Sequence, residues 1–139
     1  MKKRVLLVAV DGARACGLRR AAAALRGFET VVCTGGGAKR LAREPASDCT
    51  VVFSNASLRG PVAAAVGRIA ARQPAPVLVV GARADWQEAE AALRAGALGY
   101  LAKRRVADGL AHAVARVLAR EIYVSPRIKS RLLSRQVCE

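Results

Sequence analysis

The sequence predicts an α/β domain built around a doubly wound parallel sheet. Five short apolar runs rich in β-branched residues alternate with five segments of helical periodicity. This alternation is typical of successive βαβ units, in which helices cover both faces of the sheet. With 139 residues, of which 53% are hydrophobic, the chain is long enough for one domain with a buried core.

The strands are predicted from apolar runs that are continuous rather than alternating with polar residues. Both faces of such a strand are buried, as expected for a parallel sheet. In order along the chain, the five runs lie at residues 5–10, 30–33, 50–53, 77–80 and 99–102.

Helices are predicted between the strands from apolar residues that recur every three or four positions. The first, at residues 15–26, places Leu18, Ala22 and Leu25 on one face. The second, at residues 36–44, is the weakest, because it starts directly after glycines and is short.

The remaining helices carry clearer signals. The third, at residues 61–72, starts with a proline, a residue favoured in the first turn. The fourth runs from Glu88 to Gly96, and the fifth covers residues 106–120. The fifth has the clearest apolar stripe, made of Val106, Leu110, Val114, Val117 and Leu118.

Right-handed crossovers leave few topologies for this order of elements, and we expect the flavodoxin-like strand order 2-1-3-4-5. Residues 1–121 form this (βα)5 domain in our interpretation, and residues 122–139 form a linker segment. Ser125 and Pro126 predict the start of a C-terminal linker helix, in which Ile128 and Leu132 share an apolar face.

The chain is strongly basic, with 24 Lys and Arg against 10 Asp and Glu and a formal net charge of +14. A basic surface gains affinity for nucleic acid by releasing counterions from phosphates. The basic residues are spread along the chain and no aromatic residues are interleaved with them. We therefore favour a solvated basic surface, and keep direct nucleic-acid binding as a lesser alternative.

The sequence predicts neither a metal nor another cofactor, and no catalytic constellation. The lone histidine, His112, lies off the apolar stripe of its helix and is expected in solvent. The cysteines lack metal-ligand spacing, so we expect buried reduced thiols. They are Cys16, Cys33, Cys49 and Cys138. No apolar segment is long enough to span a membrane, and the apolar N-terminal run is not followed by a signal-peptide cleavage site. Both observations favour a cytoplasmic protein.

Three stretches resemble the receiver domains of response regulators, in particular those of NarL/LuxR-type transcriptional regulators. The stretch EAEAALRAGALGYLAK resembles their fourth helix and fifth strand, and VVFSNASLRG resembles their "VVLLDLSLPG". The tail beginning IYVSPRIKSRLL resembles the "YLSP…LL" linker that leads to a helix-turn-helix domain. The resemblance extends over nearly the whole chain.

The resemblance also assigns site positions, and most of them carry altered residues. A working receiver uses an acidic pair for Mg²⁺, an aspartate that accepts a phosphoryl group, a Ser/Thr and a lysine. The acidic pair falls on Val10 and Asp11, and the phosphoacceptor on Asn55. The lysine is retained as Lys103. The Ser/Thr falls on Gly81, and the aromatic that moves when ordinary receivers are switched falls on Tyr100.

These positions have two interpretations. The surviving residues can be structural, with Lys103 tethered to Asp11, Asn55 in a turn and Tyr100 in the packing. Alternatively, the missing side chain at Gly81 and the loss of the phosphoryl group leave space that a ligand fills.

The resemblance implies an atypical receiver domain that regulates transcription without phosphorylation. We expect control by homodimerisation, with a small-molecule ligand as a further hypothesis. DNA contact is expected only through a helix-turn-helix domain that is not present in this chain, and no membrane contact is expected. The alternative is a pure protein–protein interaction module, which would use residues 86–102 and 106–120 as its docking surface.

Overall fold

The computed structural model describes residues 3–9, 15–33, 47–53, 60–72, 75–81, 86–124 and 129–130.

A single parallel sheet of six strands forms the centre of the molecule, in the order β2-β1-β3-β4-β5-β6. The predicted order 2-1-3-4-5 is confirmed, and each predicted strand end lies within one residue of its observed position. The strands are β1 at Arg4–Ala9, β2 at Glu29–Cys33, β3 at Cys49–Phe53, β4 at Val77–Gly81, β5 at Gly99–Ala102 and β6 at Tyr123–Val124. The short sixth strand was not predicted.

Four helices of at least ten residues connect the strands within the described ranges. They are α1 at Ala15–Ala24, α2 at Gly60–Arg72, α3 at Trp86–Ala95 and α4 at Val106–Leu118. The helix predicted at residues 36–44 lies outside the described residues, as do the Ser125–Pro126 helix start and the apolar pair Ile128 and Leu132.

Two of the helices, α1 and α4, end two residues earlier than the sequence predicts, and local backbone conformation explains why. After α1, Gly27 adopts a φ of 90°, which is accessible to glycine because it has no Cβ. After α4, Arg120 has a φ of 64°, the left-handed conformation that often ends a helix.

The core is divided by the sheet into two layers. Alternate strand residues face opposite sides, so Leu7, Val51 and Leu101 pack with α1 and α4. Leu6 and Val79 pack with α2 and α3 on the other side. The predicted apolar stripe of α4 is confirmed: Val106, Leu110, Val114 and Val117 are buried, and Leu118 is partly buried.

The carboxyl ends of the central strands meet at one edge of the sheet. Ala9 pairs with Phe53, and Gly81 pairs with Ala102. Lys103 follows Ala102 directly, so it lies at this edge, where ligands bind in open α/β sheets. In the described parts of the chain, no helix has the length and apolar character needed to cross a membrane.

Candidate regulatory site

Three of the six predicted site residues lie in the described part of the chain. Gly81 ends β4, Tyr100 lies within β5, and Lys103 begins a 3₁₀ turn at Lys103–Arg105. The other three positions, Val10, Asp11 and Asn55, lie outside the described residues.

Tyr100 is fully buried and is the largest of the fully buried side chains. Its hydroxyl donates a hydrogen bond of 2.7 Å to Oε1 of Glu88 on α3. Glu88 is itself only 7% exposed. A hydrogen bond to a carboxylate contributes more to stability than one between neutral groups, typically about 1.5–3 kcal/mol. The pair therefore fixes the tyrosine ring against α3.

Gly81 makes the buried position of Tyr100 possible. A Cβ atom at residue 81 would overlap the hydroxyl and the adjoining ring carbon of Tyr100. It would also lie 2.5 Å from Oε1 of Glu88, whereas ordinary van der Waals contact begins at 3.4 Å. A serine or threonine at residue 81 is therefore incompatible with the observed position of Tyr100.

The expectation of vacant space beside Gly81 is wrong. The residue is buried, and the volume that a side chain at 81 would need is filled by the hydroxyl end of Tyr100 and by Glu88. The sequence correctly indicates a missing side chain, but the tyrosine has taken its place. A ligand therefore cannot occupy the volume of the missing side chain at residue 81 while Tyr100 and Glu88 hold these positions.

Glu88 is the site residue that the sequence analysis missed. An acidic residue in the first turn of a helix is readily explained by the helix dipole. A second signal was available, because Glu88 lies four positions before the buried Ala92 and so shares its face of α3. An acidic residue on a buried helix face needs a polar partner, and Tyr100 is one.

Lys103 is exposed, whereas Tyr100 and Glu88 are buried. No ion pair of Lys103 occurs among the described residues. Its predicted tether to Asp11 stays a prediction, since Asp11 lies outside the described ranges.

The C-terminal segment is attached to the strand that carries Tyr100. In β6, Tyr123 pairs with Gly99 and Val124 pairs with Tyr100. The ring of Tyr123 also meets His112 of α4 edge-on, with 5.8 Å between ring centres. His112 is exposed, as predicted. Tyr123 and Val124 are therefore placed directly beside the strand that carries Tyr100.

Cys49 is the one free cysteine whose side chain the structure describes, and it is fully buried in β3. Burial, reinforced by the neighbouring charge of Asp48, raises the pKa of the Cys49 thiol to about 12. The thiol is therefore protonated and unreactive at neutral pH. Within the described ranges, no group of three or more His, Cys, Asp or Glu residues is placed to hold a metal ion.

Several solved structures similar to this chain are response regulators. A two-component response regulator of the LuxR family from Aurantimonas sp. SI85-9A1 is 27% identical, with 99% of both chains covered and a TM-score of 0.77. A LuxR family DNA-binding response regulator from Silicibacter pomeroyi is 22% identical over 88% of this chain and 98% of its own, with a TM-score of 0.64.

An orphan response regulator of H. pylori, HP1043, is 24% identical over 85% of this chain and 95% of its own, also with a TM-score of 0.64. No family model matches the sequence, and no curated protein sequence matches it.

Proposed function

We propose that this chain, which belongs to the response-regulator receiver domains and is similar to those of LuxR/NarL-type regulators, acts without a phosphorylation switch. The observation that carries the proposal is the buried hydrogen bond between Tyr100 and Glu88, formed in the space above Gly81. It holds the aromatic residue that corresponds to the moving residue of ordinary receivers.

The residues at the phosphorylation positions support the proposal. Phosphoryl transfer to a receiver needs a carboxylate nucleophile, and the corresponding residue here is Asn55, whose amide is not nucleophilic. A hydroxyl that could bind a phosphoryl oxygen is absent at Gly81. One carboxylate, Asp11, remains at the metal positions, and Mg²⁺ is usually bound through carboxylates together with phosphate oxygens.

The buried position of Tyr100 also supports the proposal, because it disfavours a conformational switch. A switch needs an element with two arrangements of similar free energy. Tyr100 has no exposed surface, and its hydrogen bond to Glu88 would be lost if the ring moved out. No side chain at residue 81 competes for its position. The inward arrangement is therefore strongly favoured before any signal arrives.

Regulatory output is proposed through the segment after β5. Because β6 pairs with the strand of Tyr100, a helix-turn-helix domain joined through this segment would be held beside the site. We propose that such a domain makes the DNA contacts and that the receiver acts as a homodimer. Light scattering on the purified protein measures the dimer, and a monomer at micromolar concentration would rule out that part of the proposal.

Covalent phosphorylation provides the direct test. The protein is incubated with Mg²⁺ and a small phosphoryl donor such as acetyl phosphate, and its intact mass is measured. We expect no phosphoryl group to be added. The matched control is Asn55→Asp, which restores a carboxylate at the acceptor position. Stoichiometric modification of the unaltered protein would refute the proposal.

A further inference from the structure

A cavity of about 400 Å³ lies between α1, the end of β3 and the start of α4. Its apolar lining includes Ala24 of α1, Phe53 of β3 and Val106 of α4. Phe53 and Val106 are 5% and 6% exposed, so their surfaces form the floor of the cavity. The volume is within the range of about 300–1,000 Å³ that is usual for small-molecule sites.

Three cationic side chains line the same cavity: Arg20 of α1 and the consecutive Lys103 and Arg104 of the 3₁₀ turn. All three are exposed. Across the described part of the chain, none of them forms an ion pair, and no carboxylate is among the cavity's described lining residues. Like charges clustered around an apolar surface produce a positive potential that attracts anions.

We infer that this cavity binds a small organic anion whose apolar body, aromatic or acyl, contacts Phe53 and Val106. Its acidic group would be bound by Arg20, Lys103 and Arg104. An apolar floor with a few convergent charged groups is the usual composition of a ligand site. Inorganic anions or nucleic-acid phosphates would use the cations but would leave the apolar floor without a partner.

The cavity shares Lys103 with the positions that the resemblance assigns, but it does not use the space at Gly81. The space at Gly81 is filled by Tyr100, whereas this cavity opens on the side of the sheet covered by α1 and α4. Lys103 lies three residues after Tyr100, on the turn that follows β5. A bound anion could therefore act on β5 and β6. This regulatory meaning rests on the proposed function, whereas the binding itself does not.

Two probes that share an apolar body but differ in charge test the inference. One is 8-anilinonaphthalene-1-sulfonate, and the other is the uncharged N-phenyl-1-naphthylamine. Binding is measured by fluorescence, and amide NMR shifts locate the site. We expect saturable sulfonate binding with shifts at Phe53 and Lys103, at least tenfold weaker binding of the uncharged probe, and little competition from inorganic phosphate.

Matched variants separate the cavity from general attraction to a basic protein. Arg104→Gln is expected to weaken sulfonate binding about two- to fivefold, the usual range for an exposed charge pair. Arg68→Gln, the same change on exposed α2 surface outside the cavity, should leave it unchanged. Ala107→Leu, at the cavity wall, should weaken binding more than Ala115→Leu, which lies on the same helix outside the cavity.

Several results would overturn the inference. They are absence of saturable binding, equal affinity for both probes, full competition by inorganic phosphate, or equal effects of the paired variants. Failure here leaves the phosphorylation test unaffected, because that test measures covalent modification. Conversely, phosphorylation of the unaltered protein would leave the binding result standing and remove only its regulatory meaning.

Discussion

Replacing Gly81 with alanine tests the arrangement of the candidate site most closely. The new Cβ would overlap the hydroxyl and adjoining ring carbon of Tyr100 and would lie 2.5 Å from Oε1 of Glu88. Overpacking a core usually costs about 1–3 kcal/mol. If the ring moves away instead, its hydrogen bond to Glu88 is lost, at about 1.5–3 kcal/mol. We therefore expect Gly81→Ala to lower the free energy of unfolding by about 2–4 kcal/mol.

Denaturant unfolding followed by circular dichroism measures this change, and Gly67→Ala is the matched control. Gly67 lies inside α2, and a Cβ there would have nothing within 4 Å. Alanine at that position should stabilise the protein by about 0.5–1 kcal/mol, because glycine is a poor helix former.

A double mutant assigns the cost to the correct residue. In the Tyr100→Leu background, the overlapping hydroxyl and ring atoms are absent, so most of the cost of Gly81→Ala should disappear. Residues in direct contact show coupling energies of about 0.5–3 kcal/mol in such cycles. The placement of Tyr100 over Gly81 is refuted if Gly81→Ala is as harmless as Gly67→Ala, or if its cost is the same in both backgrounds.

Two further outcomes follow from the buried polar groups. Tyr100→Phe should lower the free energy of unfolding by about 1–3 kcal/mol in denaturant titrations, because it removes the hydrogen bond to Glu88 while keeping the ring. An unchanged unfolding midpoint would show that this hydrogen bond does not contribute to stability. In the folded protein the pKa of the Cys49 thiol is about 12, above its ordinary value of 9.0. Unfolding therefore releases a proton from this thiol above pH 9, and the stability of the folded protein falls as pH rises. Relative to Cys49→Ala, the protein should lose about 1 kcal/mol of stability between pH 8 and pH 10, and parallel pH profiles would show that the thiol is not shielded.

The strands and their order could be predicted because both depend on patterns that lie within short stretches of sequence. Runs such as that at residues 50–53 are apolar throughout, and the right-handed crossover rule then restricts the topology. The sixth strand, Tyr123–Val124, could not be predicted in this way. It has two residues, and it exists as a strand because β5 offers a free edge beside Gly99 and Tyr100.

The candidate site could be predicted only in part, for a related reason. The sequence shows that residue 81 has no side chain, but not that Tyr100 turns into the space. The inward position of the Tyr100 ring depends on its hydrogen bond to Glu88, which is twelve residues away in the sequence and on a different element. The cationic cavity was missed because Arg20 is far from Lys103 in sequence, and only the packing of α1 beside α4 brings them together.

An amide-resolved NMR titration with Mg²⁺ and beryllofluoride measures whether the receiver domain lacks a phosphorylation switch, as we propose. Beryllofluoride mimics a phosphoryl group and needs an acceptor carboxylate. We expect the resonances of Gly81, Tyr100 and Lys103 to keep their positions throughout the titration, since residue 55 is an amide and Tyr100 is already held by Glu88. A joint, saturable shift of these three resonances would rule out the proposed loss of the switch and would indicate an ordinary phosphate-dependent receiver.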